Sequence, residues 1–258
     1  MYNVFSAVYD MGGCASQYIS SIFGSTPTEG QSNSKLVSDH KQVGLNNKSD
    51  SLVSLDEVGS EVELRNTLLE LFDKYKCEEE EEDDEIEPEG VLKFCSDLGV
   101  SPEDRRMLVL CWHMKAATAG YFTRDEFIGG FQKLQCKSIA DLKKRFKMFD
   151  KELEDPETFR SVYEFAFIFS KDPDKRQIDF EMAEGLLDVL FKGKNQWVNT
   201  FIKFLKDDSV DSSTVNKDQW NTLYDFIMTI DEKLTNYDEN DYWPVLIDEF
   251  VEWVKEQS

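Results

Sequence analysis

From Leu64 onward, apolar side chains recur three and four residues apart in nearly every stretch, and this periodicity constrains the fold more than any other feature. Leu64, Leu68, Leu71, Phe72 and Tyr75 trace one stripe, and Val91, Leu92, Cys95 and Leu98 trace a second that stops at Gly99. Met107, Leu108, Leu110, Cys111 and Met114 follow, with further amphipathic runs over 139–149, 159–169, 180–191, 197–205 and 220–230. Such spacing gathers apolar groups on one face of a helix, and the alternation of a half-buried strand is absent. The chain reads as all-α. Ser101-Pro102-Glu103-Asp104 adds a start signal of cap residue, first-turn proline and first-turn acids.

Residues 1–60 are different in kind: rich in Ser, Gly, Asn and Thr, with few aromatics beyond Phe23. That composition buries too little surface to offset ordering entropy, so a flexible tail over 1–60 and a folded domain over 61–258 are expected. The acidic run from Glu78 to Glu85 reads as a solvated loop or frayed helix end. Overall, 52 acids against 29 bases give a net charge of −23. Nucleic acid, which demands a basic footprint, is excluded as a partner, whereas a basic protein surface suits this charge. Five cysteines without a CxxC pair fit a reduced, intracellular chain with no disulfide framework. With only two histidines, His40 and His113, a histidine metal site or charge-relay triad is ruled out by inventory. No cofactor is expected. Asp10 and the lack of a basic n-region argue against a secretory signal, and no stretch approaches the ~20 apolar residues of a membrane span.

Lys115 to Phe127 has the skeleton of an EF-hand loop, with Gly120 at position six, Phe122 at the apolar position eight and Glu126 at position twelve. Calcium needs side-chain oxygens at positions one, three and five, and those positions hold Lys115, Ala117 and Ala119. A second candidate from Asp172 to Glu181 lacks the turn glycine. Both read as loop geometry kept for packing, with the ion chemistry gone, so no metal is expected.

The last stretch, from Asn236 through Trp243-Pro244 to Trp253, opens a helix at a proline. Leu246, Phe250, Trp253 and Val254 share one face, and Asp248, Glu252 and Glu256 another. A row of acids four residues apart is ordinarily a solvated face. Here its wording, N-Y-D-E-x-x-x-W-P-x-L-I-D-x-F-V-E-W, resembles the end of the potentiating-neddylation domain of the defective-in-cullin-neddylation (DCN-like) family. The resemblance extends from about Leu64 to Lys255, through Ile86-Glu87-Pro88-Glu89-Gly90-Val91, Trp112-His113-Met114-Lys115-Ala116-Ala117-Thr118, Phe122-Thr123-Arg124-Asp125-Glu126-Phe127 and Asp179-Phe180-Glu181-Met182-Ala183. The ubiquitin-binding domain that some members carry in front is not recognisable in residues 1–60.

The resemblance implies a helical fold built on two EF-hand-like helix pairs without calcium ligands, followed by C-terminal helices. It implies a non-catalytic accessory (co-E3) ligase that holds a cullin's C-terminal region, its RING subunit and the neddylation conjugating enzyme together, in cytoplasm and nucleus. Two surfaces carry over. The cullin-binding positions are Asp218, Tyr242 and Asp248, where Tyr242 replaces the alanine usual in the family; taken by itself, Asp218 is a helix N-cap before Trp220. The pocket for the conjugating enzyme's N-acetylated first methionine maps to Val91, Met107, Leu110, Cys111, Met114, Phe122, Phe169, Leu186 and Val189. Read singly, each of these is a core residue, and Cys111 within Leu108–Trp112 is an inert one.

Met11-Gly12-Gly13-Cys14-Ala15-Ser16 matches an N-myristoylation pattern, with Cys14 placed for palmitate. The pattern needs an N-terminal glycine, so it operates only if translation starts at Met11, and membrane attachment is expected only then. One DCN-like subtype has a lipidated N-terminus. Two other readings stay open at this point: an EF-hand-like calcium-responsive binder, and a helical adaptor that sequesters neddylation components.

Overall fold

The computed structural model describes residues 55–76, 84–172, 174–210 and 212–257. The expectations for residues 1–54, including the lipidation motif at Gly12 and Cys14, lie outside the described residues, as does the acidic run from 78 to 83.

The helices are α1 (Leu55–Asp73), α2 (Pro88–Leu98), α3 (Arg105–Met114), α4 (Arg124–Lys133), α5 (Ile139–Phe146) and α6 (Phe149–Glu152). They continue as α7 (Pro156–Ser170), α8 (Phe180–Phe191), α9 (Gln196–Leu205), α10 (Lys217–Thr229) and α11 (Val245–Glu256). Helix α1 starts at Leu55, ahead of the stripe that opens at Leu64. The chain is all-α, as its periodicity predicts.

Four short strands are the first difference from the sequence reading: β1 (Glu85–Ile86), β2 (Phe122–Thr123), β3 (Gln177–Asp179) and β4 (Thr214–Asn216). They pair antiparallel, with Ile86 opposite Phe122 and Ile178 opposite Val215. All four of these residues are buried. Two or three residues are too few to display alternation, so periodicity could not find them. Each ladder ties two helix–strand–helix units together, α1-β1-α2 to α3-β2-α4 and α7-β3-α8 to α9-β4-α10.

A second difference lies before α3. Asp104, not Ser101, is the N-cap, accepting from the Arg106 N–H at 3.0 Å. Ser101 and Pro102 are spent in a turn that the Asp104 N–H closes on the Ser101 carbonyl at 3.0 Å. At α11 the proline sits one position earlier than expected, with Pro244 as N-cap.

Each pair of units encloses an aromatic core. In the first, the Phe94 ring meets Tyr75, Phe122, Phe127 and Phe131, at centroid distances of 5.3 to 6.5 Å. Tilted and edge-on pairs of this kind add ~0.5–1.5 kcal/mol each beyond area burial, which makes Phe94 the hub of that core. In the second, Phe250 of α11 packs against Trp197, Phe201, Phe204 and Phe226. Helix α7 joins the two: it packs on α3 from the first unit pair and on α8 and α10 from the second.

Candidate functional site

The apolar candidates come from α2, α3, β2, α7 and α8. Met107, Cys111, Met114, Phe169 and Leu186 keep 3 to 7% of their surface, while Leu110 keeps none and Phe122 only 2%. Val91 and Val189 are half-buried. This grading divides the set physically. Leu110 and Phe122 are packing residues in this conformation; Val91 and Val189 reach the surface, and the sulfur-bearing and aromatic residues lie just beneath it. Helix α3 packs on α7 and α7 on α8, so three of the four contributing helices are contiguous. Two glycines permit close approach next to candidate residues. A Cβ at Gly130 of α4 would lie 2.3 Å from the Met114 side chain, and one at Gly90 would lie 2.0 Å from the Tyr75 carbonyl oxygen. Sequence reading missed both, since neither glycine stands out until the helices are docked.

Burial also settles the character of the thiols. It pushes Cys95 up to about 12, and Cys111 further still. Neither is a thiolate at neutral pH, so neither is a poised nucleophile.

The acidic candidates come from α10, α11 and the segment between them. Asp218 is exposed in the first turn of α10, but it is not the cap. Asn216 is: its side chain accepts from the Gln219 N–H at 2.9 Å, and Gln219 returns the bond to the Asn216 N–H at 2.8 Å. With the cap supplied two residues earlier, the Asp218 carboxylate is left facing solvent, near a positive helix end that favours it. Helix α10 is held by reciprocal bonds to α7: Tyr163 Oη donates to the Trp220 carbonyl at 2.9 Å and Trp220 Nε1 to the Tyr163 carbonyl at 3.0 Å. Their rings stack at 4.5 Å.

Asp248 is half-buried in the first turn of α11, where Tyr237 Oη donates to its Oδ1. Tyr242 is fully exposed, at 106%, and Val245 is 69% exposed beside it. Tyr242 stands at the apex of a tight turn closed by the Trp243 N–H on the Asp241 carbonyl at 2.9 Å. Trp243 anchors that turn by stacking on Tyr237 at 5.7 Å and meeting Phe226 edge-on at 5.8 Å.

In the loop between α3 and α4, the Glu126 carboxylate accepts from the Ala117 and Thr123 N–H groups, both at 2.8 Å. The group at the twelfth loop position thus serves as a backbone cap. In the loop before α8, Asp172 accepts from the Asp174 N–H at 3.0 Å and Asp179 caps α8 through the Met182 N–H at 2.7 Å. In both loops these carboxylates are bonded to backbone amides.

The Cullin binding family model matches residues 141–253. The chain is 39% identical to human DCN1-like protein 5 over 173 residues, covering 67% of this chain and 72% of that protein. It is 39% identical to human DCN1-like protein 4 over 176 residues, 68% of this chain and 60% of that protein. With DCN1-like protein 2 of Dictyostelium discoideum it shares 37% identity over 180 residues, 69% of this chain and 66% of that protein. The chain belongs to the DCN1-like family. The cullin-binding match starts in α5 and ends in α11, so it contains α7, α10 and all three acidic-end positions, together with Phe169, Leu186 and Val189 of the apolar set. Membership in the DCN1-like family also sets the calcium-responsive alternative aside, in keeping with the capped loops.

Proposed function

We infer that this DCN1-like protein is an accessory ligase in cullin neddylation, working as a scaffold and not as a nucleophilic enzyme. The observation that carries the reading is that one helix, α7, takes part in both candidate surfaces. It contributes Phe169 to the apolar set and holds α10, with Asp218, through the Tyr163–Trp220 pair. A cullin bound at Asp218, Tyr242 and Asp248 and a conjugating enzyme bound at the α3–α7–α8 pocket would thus be held in one fixed relation. Fixing two reactants in this way converts an encounter between them into a nearly unimolecular step, which is the whole of a scaffold's contribution.

The chemistry of transfer stays with the conjugating enzyme, whose thioester is attacked by a cullin lysine. The acidic end attracts basic side chains, and charge-assisted contacts there would set register. Tyr242, exposed next to Val245, gives this surface an aromatic anchor where the family has a small side chain, and a cullin groove that receives it is the natural partner. The RING subunit completes the assembly on the cullin side. The acetyl group on the conjugating enzyme's first methionine matters because a free ammonium would lose its hydration among Met107, Cys111, Met114 and Phe169. Among the described residues no helix is long and apolar enough to cross a membrane. We place the protein in cytoplasm and nucleus, with membrane attachment conditional on Gly12 and Cys14 being lipidated. Reconstituted cullin neddylation, with and without this protein, tests the reading: faster modifier transfer supports it, an unchanged rate contradicts it, and a slower rate favours the sequestering adaptor.

A further inference from the structure

We propose that Tyr237 is a positioning residue for cullin docking, its hydroxyl holding the Asp248 carboxylate in the orientation that a basic partner side chain meets. The proposal rests on the reading of Asp248 as a docking residue, and it adds a residue outside the three acidic-end positions. Tyr237 lies in the loop between α10 and α11, and its O–H donates to Asp248 Oδ1. No other side chain among the described residues is bonded to that carboxylate.

The tyrosine is itself held on several sides. Its ring stacks on Trp243 at 5.7 Å and 25° and meets Phe226 edge-on at 6.2 Å. The Lys255 ammonium lies 5.9 Å from the ring centroid and pairs with Glu239. Burial and the adjacent Asp248 both push the phenol well above its ordinary range, so it remains an O–H donor at every working pH. A fixed ring therefore presents a fixed proton to an otherwise rotatable carboxylate. A partner's Arg or Lys then meets a carboxylate already ordered, and the entropy of ordering it is not lost on binding. The same ring stacks on Trp243, which anchors the turn that displays Tyr242, so one tyrosine supports both the charged and the aromatic parts of the surface.

The test is a double-mutant cycle between Tyr237→Phe and Asp248→Ala, read as binding to a purified cullin C-terminal domain. Tyr237→Phe keeps the stacked ring and removes the proton donor; it is expected to weaken binding about fivefold, with at most a small fall in melting temperature and no change in acetylated-peptide binding. In the Asp248→Ala background the same substitution is expected to do nothing more. Lys255→Ala, which strips the cation from the ring and leaves the hydroxyl, is expected to leave binding within about twofold. Wild-type binding by Tyr237→Phe while Asp248→Ala binds weakly would overturn the inference and leave the docking surface standing. An equal loss from Tyr237→Phe with and without Asp248, or an equal loss from Lys255→Ala, would also overturn it, by tracing the effect to ring packing. Wild-type binding by Asp248→Ala would instead remove the docking reading itself.

Discussion

The two candidate surfaces differ in what they ask of the fold. The apolar set on α2, α3, α7 and α8 is continuous with the core; Phe169 and Leu186 are 7% exposed, little different from the packing residues around them. The acidic end is set against the core, with Asp218 and Tyr242 fully outside and Trp243, Tyr237 and Phe226 packed beneath. A recognition site made of apolar groups uses the same residue types as stability, so one substitution there touches both. A charged site can be rewritten with the fold left intact.

Phe169→Ala should show the largest coupled effect. Truncating a buried phenylalanine costs ~3–5 kcal/mol, and acetylated-peptide binding should fall with it. Thermal melts and peptide titration measure both, and cullin binding measured below the melting temperature should persist. Parallel loss of cullin binding would show that the two regions are not separable.

Peptides from the conjugating enzyme's N-terminus should bind at least about a hundredfold more tightly when acetylated, because burying an unpaired ammonium costs several kcal/mol. Equal affinities in calorimetry would remove the pocket and leave those residues as core alone.

A smaller effect distinguishes the regions by pH. His113 is buried on α3, with Nε2 2.8 Å from Glu152 Oε2. Burial holds its pKa below the ordinary histidine value, outweighing the opposing pull of Glu152. The folded chain therefore keeps His113 neutral where the unfolded chain takes up a proton. Its contribution to stability is complete above about pH 6.5 and declines as pH falls below that. Denaturant midpoints between about pH 7 and 5 should fall accordingly. His113→Gln, which keeps a donor for Glu152, should flatten that slope. An unaltered slope would place the acid sensitivity elsewhere.

The smallest predicted effect is none. Millimolar calcium should leave the melting temperature unchanged, since backbone amides occupy Glu126, Asp172 and Asp179. A chelator-reversible stabilisation above ~1 kcal/mol would mean that the acidic end, or one of the loops, takes ions in place of a protein partner.

How much of this was legible in the chain varies by feature, for physical reasons. The bounds of α8 are legible because Asp179 and the stripe from Phe180 to Phe191 act together; the break between α5 and α6 is not, because Met148 and Phe149 continue the stripe across it. The strands were illegible, being shorter than one period of alternation. Taken by itself Asp218 reads as a cap, but Asn216 and Gln219 bond reciprocally over three residues, and only the structure shows which acceptor is used. The apolar candidates could be named only through family resemblance, as burial alone cannot separate Met107 from Val109. Tyr237 stands in the sequence only as part of the N-Y-D-E wording; its contact with Asp248, eleven residues away, is visible only in the structure.

The central claim is that two independent surfaces on one rigid frame bridge a cullin and its conjugating enzyme. The most direct test is the Asp218→Arg, Asp248→Arg double variant in reconstituted neddylation, with acetylated-peptide binding measured on the same sample. Each charge-assisted contact is worth ~2 kcal/mol or more, and reversal adds repulsion. The variant should therefore lose cullin binding and rate stimulation while binding the acetylated peptide like the parent chain. A folded double variant that still binds cullin and stimulates transfer normally would contradict the account, and would reduce the acidic row on α11 to a solvated face.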